Sequence, residues 1–433
     1  MVDWSHENAR AQAGPELVLL GGRVLSRQVA ESDPGRWQTV LQDVYLSRET
    51  PRCLCRGRES PIPMYVERRG RTYSLKRTPG SGESHHQACP SHGGMDVSGV
   101  NGGSTSAIHK RSDGLLDIKL DVPLRTVQVG RGATAASAPT AATPTGAGSS
   151  RQQVKLLGLL HLLWERAGLH RWTPPAPEQR PRTLGDVYEK LRNELDDIVL
   201  GKSRASSIVY VPDTRLDDPA QRHKEALIAE SYMHLQAKCP AGERPVLMVI
   251  AECRSFFDGK YSRGLRLKGF PDSMPIWIPA SAMTQIEKGW NGRLERFMSA
   301  MGGSAGEGTR LFVIAGLQFS EKGALNWLYG SLMETTGRFI PVESGFEAQV
   351  ANALVEEGRA FVKPLRYTGQ EEVHPDFVLT DTKRPWYLEV FGMATPQYLE
   401  RKRAKITHYR ESGKLLWSWD AAAGTQLPPF PVG

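Results

Sequence analysis

Apolar positions in the C-terminal quarter of the chain follow two different periods. Phe346, Val350 and Leu354 recur every four residues, which predicts a helix from Ser344 to Glu357 with one apolar stripe, and Gly358 stops it. Phe361-Val362 then opens a strand. Phe377-Val378-Leu379 and Trp386-Tyr387-Leu388-Glu389-Val390-Phe391 are apolar runs of strand length, separated by breakers over 380–385. Thr395 and Pro396 supply an N-cap and a first helical residue. Tyr398, Lys402, Lys405 and Tyr409 share one face of the helix that follows. From Pro341 to Trp419 the order reads helix, strand, strand, helix, strand.

Upstream the pattern is mixed. Residues 154–168 form a strongly apolar helix, and a second helix starts at Thr183 and runs to about Leu200. Strands follow at 207–211, 245–253, 265–268, 275–279 and 311–317, with helices expected at 220–236, 281–301 and 323–335. Residues 130–153 are Gly-, Ala- and Ser-rich and read as a flexible linker. Before it, Asp113-Gly114 marks a hairpin that would complete a first domain. Residues 1 to about 35 read as a loosely ordered lead-in, with a short element near Leu17 to Leu25.

Composition narrows the function classes. A chain of 433 residues suggests about three domains at ~150 residues each. No apolar run approaches the ~18 residues of a membrane span, and the N-terminus lacks a secretory pattern, so a cytoplasmic protein with no membrane partner is expected. The formal charge of +8 favours an anionic partner, nucleic acid and most simply DNA. Gly201-Lys202-Ser203 is no phosphate loop, because Asp196 stands where that motif needs glycine. No nucleophile elbow is present.

Two constellations carry chemistry. Cys53 and Cys55 precede a hairpin (64–69 and 71–76), and His85-His86-x-x-Cys89 follows it. Clustered Cys and His without an export signal favour a metal over a disulfide. Cys53, Cys55, Cys89 and one histidine, His86 first and His85 second, would make a closed tetrahedral zinc site. Arg56, Arg58, Arg68, Arg69, Arg71, Lys76 and Arg77 surround it, with Tyr65 and Tyr73 interleaved, a composition suited to phosphates and bases.

The second constellation is acidic. Glu389 lies in an otherwise apolar strand, where a carboxylate is costly unless paired or metal-bound. Asp376 heads the preceding strand, and Glu347 lies in the first turn of the helix, where it can also close a capping box with Ser344. Hard carboxylate oxygens suit Mg²⁺ or Mn²⁺. Glu347, Pro375-Asp376 and Glu389-Val390-Phe391 together resemble the PD-(D/E)XK nuclease superfamily. The resemblance implies that Asp376 and Glu389 hold the metal and that Glu347 assists. It also implies a lysine two residues after the second acid, where this chain has Phe391. By analogy with members that take this lysine from the next helix, Lys402 or Lys405 replaces it.

The Cys53-Leu54-Cys55 knuckle, the hairpin, the segment Lys76 to His86 and the Glu389 to Gly392 block also resemble an uncharacterised bacterial family of unknown function, often encoded on plasmids and integrative elements. The expected fold is α+β and multidomain: a small zinc-bound N-terminal β domain (36–128), the linker (129–153), an α+β middle domain (154–340) and a C-terminal α/β/α restriction-endonuclease-like domain (341–420). Two functions stay open. One is a metal-dependent DNA phosphodiesterase. The other is a non-catalytic nucleic-acid-binding accessory protein.

Overall fold

The computed structural model describes residues 14–69, 72–86, 89–93, 107–127, 153–175, 180–213, 221–290, 294, 297, 309–365 and 374–432. The linker expected at 129–153 lies almost wholly outside them.

The chain is organised into sheets around three apolar cores. In the first, β1 (Leu17–Leu20) and β2 (Arg23–Ser26) form a hairpin closed by Gly21 and Gly22, both at positive φ. Helices α1 (Val29–Ser32) and α2 (Pro34–Ser47) follow. The Asp33 side chain caps α2 by accepting from the Arg36 amide at 3.0 Å, with Pro34 at the first helical position. Strands β3 (Arg52–Cys53), β4 (Ile62–Arg69) and β5 (Thr72–Arg77) complete a sheet of order β2-β1-β3-β4-β5. The expected lead-in is therefore structural from residue 14 onward. Val18 and Leu20 are fully buried against Trp37, Leu41 and Met64 because β1 is an interior strand.

The hairpin β6 (Ile108–Lys110) and β7 (Leu116–Ile118) turns at Asp113-Gly114 as its sequence predicts. Its pairing is elsewhere than expected, since β7 runs parallel to a strand 82 residues later. After β8 (Arg125–Val127) comes α3 (Leu156–Arg166), buried along most of its length, then β9 (Arg171–Trp172) and α4 (Leu184–Asp196). Thr183 and Asp186 form a capping box at the start of α4. Strands β10 (Ile198–Leu200) and β11 (Ser203–Arg204) flank Gly201-Lys202, a tight antiparallel turn with Gly201 at φ 65°. Sheet order β11-β10-β7-β6 thus joins residues from both sides of the 129–153 segment.

The centre of the molecule is a closed barrel. After β12 (Val209–Tyr210), α5 (Gln221–Ala237) and β13 (Glu243–Pro245) come β14 (Leu247–Asp258), β15 (Ser262–Leu267), β16 (Ile276–Pro279), α6 (Ala280–Trp290), β17 (Thr309–Phe319) and β18 (Leu325–Thr336). The barrel order is β14-β15-β16-β18-β17, closed by β17 on β14, with β16 and β18 parallel. Residues 323–335 were expected to be helical, but they form β18. The override is tertiary: eleven residue pairs tie β18 to β17, and Leu325, Trp327 and Leu332 bury inward.

The last body follows β19 (Pro341–Val342). It contains α7 (Gly345–Glu356), β20 (Phe361–Val362), β21 (Phe377–Leu379), β22 (Trp386–Val390), α8 (Pro396–Glu411) and β23 (Leu415–Trp419). Three strands, not two, lie between its helices. The sheet order is β23-β22-β21-β20-β9, with β22 and β23 parallel, so its outer strand comes from residues 171–172.

Candidate functional site

The first site is built where β3 and the chain after β5 meet. Cys53, Cys55, His85 and Cys89 bring their donor atoms within 4.8 Å of one another, and all four residues are buried. Cys53 Sγ lies 3.6 Å from Cys89 Sγ, and His85 Nδ1 lies 3.6 Å from Cys55 Sγ and 3.7 Å from Cys89 Sγ. An ideal tetrahedron with Zn–S of about 2.3 Å and Zn–N of about 2.0 Å puts its sulfurs roughly 3.8 Å apart and its nitrogen roughly 3.5 Å from each sulfur. The donor set therefore fits a metal ion such as zinc. Of the two adjacent histidines it is His85, and not the His86 favoured from the sequence, that faces the cluster. His86 is exposed and contributes its backbone N–H, which donates to Cys55 Sγ at 3.3 Å. The Ser91 amide donates likewise to Cys89 Sγ at 3.4 Å. Such bonds favour thiolates.

A residue with no local signal completes this shell. Arg27 is buried and reaches Cys53 Sγ at 3.7 Å and Ser91 Oγ at 2.8 Å, while its other nitrogen pairs with Glu189 of α4 at 3.0 Å. Sequence reasoning missed it because it stands 26 residues from Cys53.

The basic hairpin divides. Arg56, Arg58 and Arg68 are exposed, and the side chains of Arg69 and Arg71 lie outside the described residues. Lys76 and Arg77 are 1% exposed and belong to an interface, not to a binding surface. Lys76 pairs with Asp196 at 2.8 Å, and Arg77 pairs with Glu194 at 2.9 Å and Asp197 at 2.7 Å. Tyr73 is buried, and the Tyr65 hydroxyl donates to Asp196 at 3.2 Å. The acids at the C-terminal end of α4 and at its cap, Asp197, draw these groups inward, because a buried cation needs a partner.

The second site lies on β20 to β22 and α8. The Asp376 amide donates to the Leu388 carbonyl, and its Oδ2 accepts from the Val390 amide at 2.7 Å, which fixes this carboxylate beside Glu389. Glu389 is 1% exposed. Its Oε2 accepts from Lys405 Nζ at 2.6 Å and its Oε1 from the Tyr409 hydroxyl at 2.9 Å. Lys405 also donates to the His374 carbonyl at 3.0 Å. Burial, then the Asp376 charge, pushes the Glu389 carboxyl up to about 7. Burial likewise raises Asp376.

Of the two candidate lysines, Lys405 meets the acids. Lys402 turns to Asp420 at 2.6 Å and lies over the Phe391 ring at 4.7 Å. Phe391 itself is buried, so the position two residues after Glu389 serves the core. Glu347 is buried, and its carboxylate accepts from the Glu343 amide at 2.9 Å and from Lys363 at 3.0 Å. Lys363 was not singled out from sequence. It is 3% exposed just past β20, and burial pulls against its charge, but Glu347, Asp376 and Glu343 more than offset this and hold the ammonium above its ordinary range. A lysine directly after Phe361-Val362 was a readable signal, the same kind that marked Glu389.

A family model described as Protein of unknown function (DUF1173) matches residues 23–422. The chain belongs to that family. The match takes in the Cys/His cluster, the barrel and both carboxylate strands. A search of curated proteins finds no match. No described helix is long and apolar enough to cross a membrane.

Proposed function

We propose that this DUF1173 member is a metal-dependent phosphodiesterase acting on DNA, with a structural zinc held by Cys53, Cys55, His85 and Cys89. The observation that carries the reading is the 2.6 Å contact between Lys405 and Glu389, beside Asp376. The absence of a lysine at Phe391 was the main support for a binding-only protein. A lysine supplied by α8 at the same acids weakens that alternative.

A buried Glu389, whose proton affinity is raised by burial and by the charge of the partly buried Asp376, makes a carboxylate pair suited to a divalent cation. Asp376 and Glu389 would hold Mg²⁺ or Mn²⁺, which when bound supplies an activated water and polarises a phosphoryl oxygen. Lys405 would move its charge from Glu389 to the scissile phosphate and steady the negative charge that develops there. Tyr409 keeps Glu389 oriented, and Glu347 holds Lys363 charged beside Asp376. The resemblance to a family carried on plasmids and integrative elements supports a role in mobile-element biology.

The test is cleavage of labelled single-stranded, duplex and branched DNA with magnesium or manganese. Asp376→Asn should abolish cleavage. Lys405→Ala should lower it about 100-fold or more, the scale for losing one charge-stabilising donor. Lys402→Ala should stay within severalfold of wild type. Equal cleavage by wild type and Asp376→Asn would sink the proposal.

A further inference from the structure

The barrel carries an unassigned surface. Its strands, counted from β14, close in the order 1-2-3-5-4-1, with the third and fifth parallel and α6 between the third and fourth. This is the strand arrangement of the OB barrel, whose second and third strands and flanking loops form a binding face for oligomers. Fold alone assigns no function, so the face itself must supply the argument.

Across the outer face Phe257, Gly264, Trp277 and Asn326 stand in register on four neighbouring strands. Phe257 and Trp277 are partly exposed, and their rings meet edge to face at 5.6 Å. Gly264 is the reason the row is flat: a β-carbon there would collide with the Phe257 ring. The Arg266 guanidinium stacks on Phe257 at 4.3 Å, and its Nε is buried without a hydrogen-bond partner. The loop between β14 and β15 carries Tyr261, 82% exposed, with Lys260 over its ring at 5.1 Å. At the other end of β16, Ile276 pairs with Leu325, which sets the loop 320–324, with exposed Lys322, at the opposite border. A cavity of about 300 Å³ opens beside Tyr261, between Arg263 and Met283.

We propose that this face binds single-stranded DNA, with bases stacking on Tyr261, Trp277 and Phe257 and phosphates meeting Lys260 and Arg266. Stacking needs unpaired bases, so the face selects single strands over duplex. Guanidinium and ammonium groups laid on aromatic rings suit an anionic polymer better than a neutral sugar chain. The site is separate from the Asp376–Glu389 pair and stands whether or not that pair cleaves.

The experiment is fluorescence anisotropy of labelled oligo-dT on the zinc-loaded full chain, without added magnesium or manganese, so that cleavage has no part in the readout. Expected is binding to oligo-dT well above that to duplex DNA. Tyr261→Ala and Trp277→Ala should each weaken it about tenfold or more. Arg266→Ala should lower the slope of log affinity against log salt by about one. Trp277 is packed, so Tyr261→Ala is the variant that leaves the fold intact and decides the case. Oligo-dT binding unchanged by Tyr261→Ala overturns the proposal. So does a preference for duplex, for oligo-rU or for neutral oligosaccharides, or the absence of oligo-dT binding.

Discussion

Glu389 is a buried carboxylate whose protonation is tied to folding. Its folded-state pKa of about 7 lies above the ordinary 4.5, so the fold favours its protonated form. Its contribution to stability is greatest below about pH 4.5 and is lost as pH rises through about 7. In metal-free protein the urea midpoint should therefore fall between pH 5.5 and 8, and Glu389→Gln should flatten that decline. Added manganese should restore stability at pH 8 in wild type and not in the variant, because the ion binds only the deprotonated acid. A midpoint with the same pH dependence in both proteins would show that Glu389 is not the titrating group.

At the level of elements, the Cys/His cluster holds β3 to the segment that follows β5, and Arg27 extends the same network to α4. A small domain built on a metal site gains much of its folding energy from the ion. Removing the metal with a chelator, or Cys53→Ser, should raise amide hydrogen exchange across β3, β4 and β5. Through Glu189 the effect should reach the first half of α4, while β17 and β18 stay protected. Exchange that rises equally in the barrel, or not at all in β3 to β5, would refute this division. Elemental analysis of protein purified without chelators should find one zinc per chain.

Over the whole molecule the positive charge splits into structural and exposed groups. Lys76 and Arg77 are sealed against Asp196, Glu194 and Asp197, whereas Arg401 and Arg403 stand exposed on α8. Removing one partner of a buried pair strands the other, at a cost of about 3–5 kcal/mol. Arg77→Ala should thus lower the thermal midpoint sharply. Arg401→Ala with Arg403→Ala should leave that midpoint in place and weaken duplex DNA binding, with a shallower salt dependence. Thermal melts and salt titrations on the same variants separate the two classes. Arg77→Ala that melts like wild type would contradict the structural role.

Local spacing was enough to find much of this. The period of Phe346, Val350 and Leu354 marked α7, breakers bounded β21 and β22, and Cys and His within a short span marked the metal-type cluster. Those signals lie within one element or one loop, where geometry follows from chain order. Contacts between distant segments decided the rest. His85 points inward because the turn after β5 carries it there, and its neighbour His86 supplies only a backbone N–H. Lys405 is selected over Lys402 by the docking of α8 on β22. The helix expected at 323–335 became a strand because β17 offered eleven partners, and cross-strand burial outweighs local propensity. Lys76 and Arg77 looked like surface charge until α4, more than a hundred residues away, supplied the acids that bury them. Burial and pairing depend on what else comes near in space, and linear spacing carries no record of that.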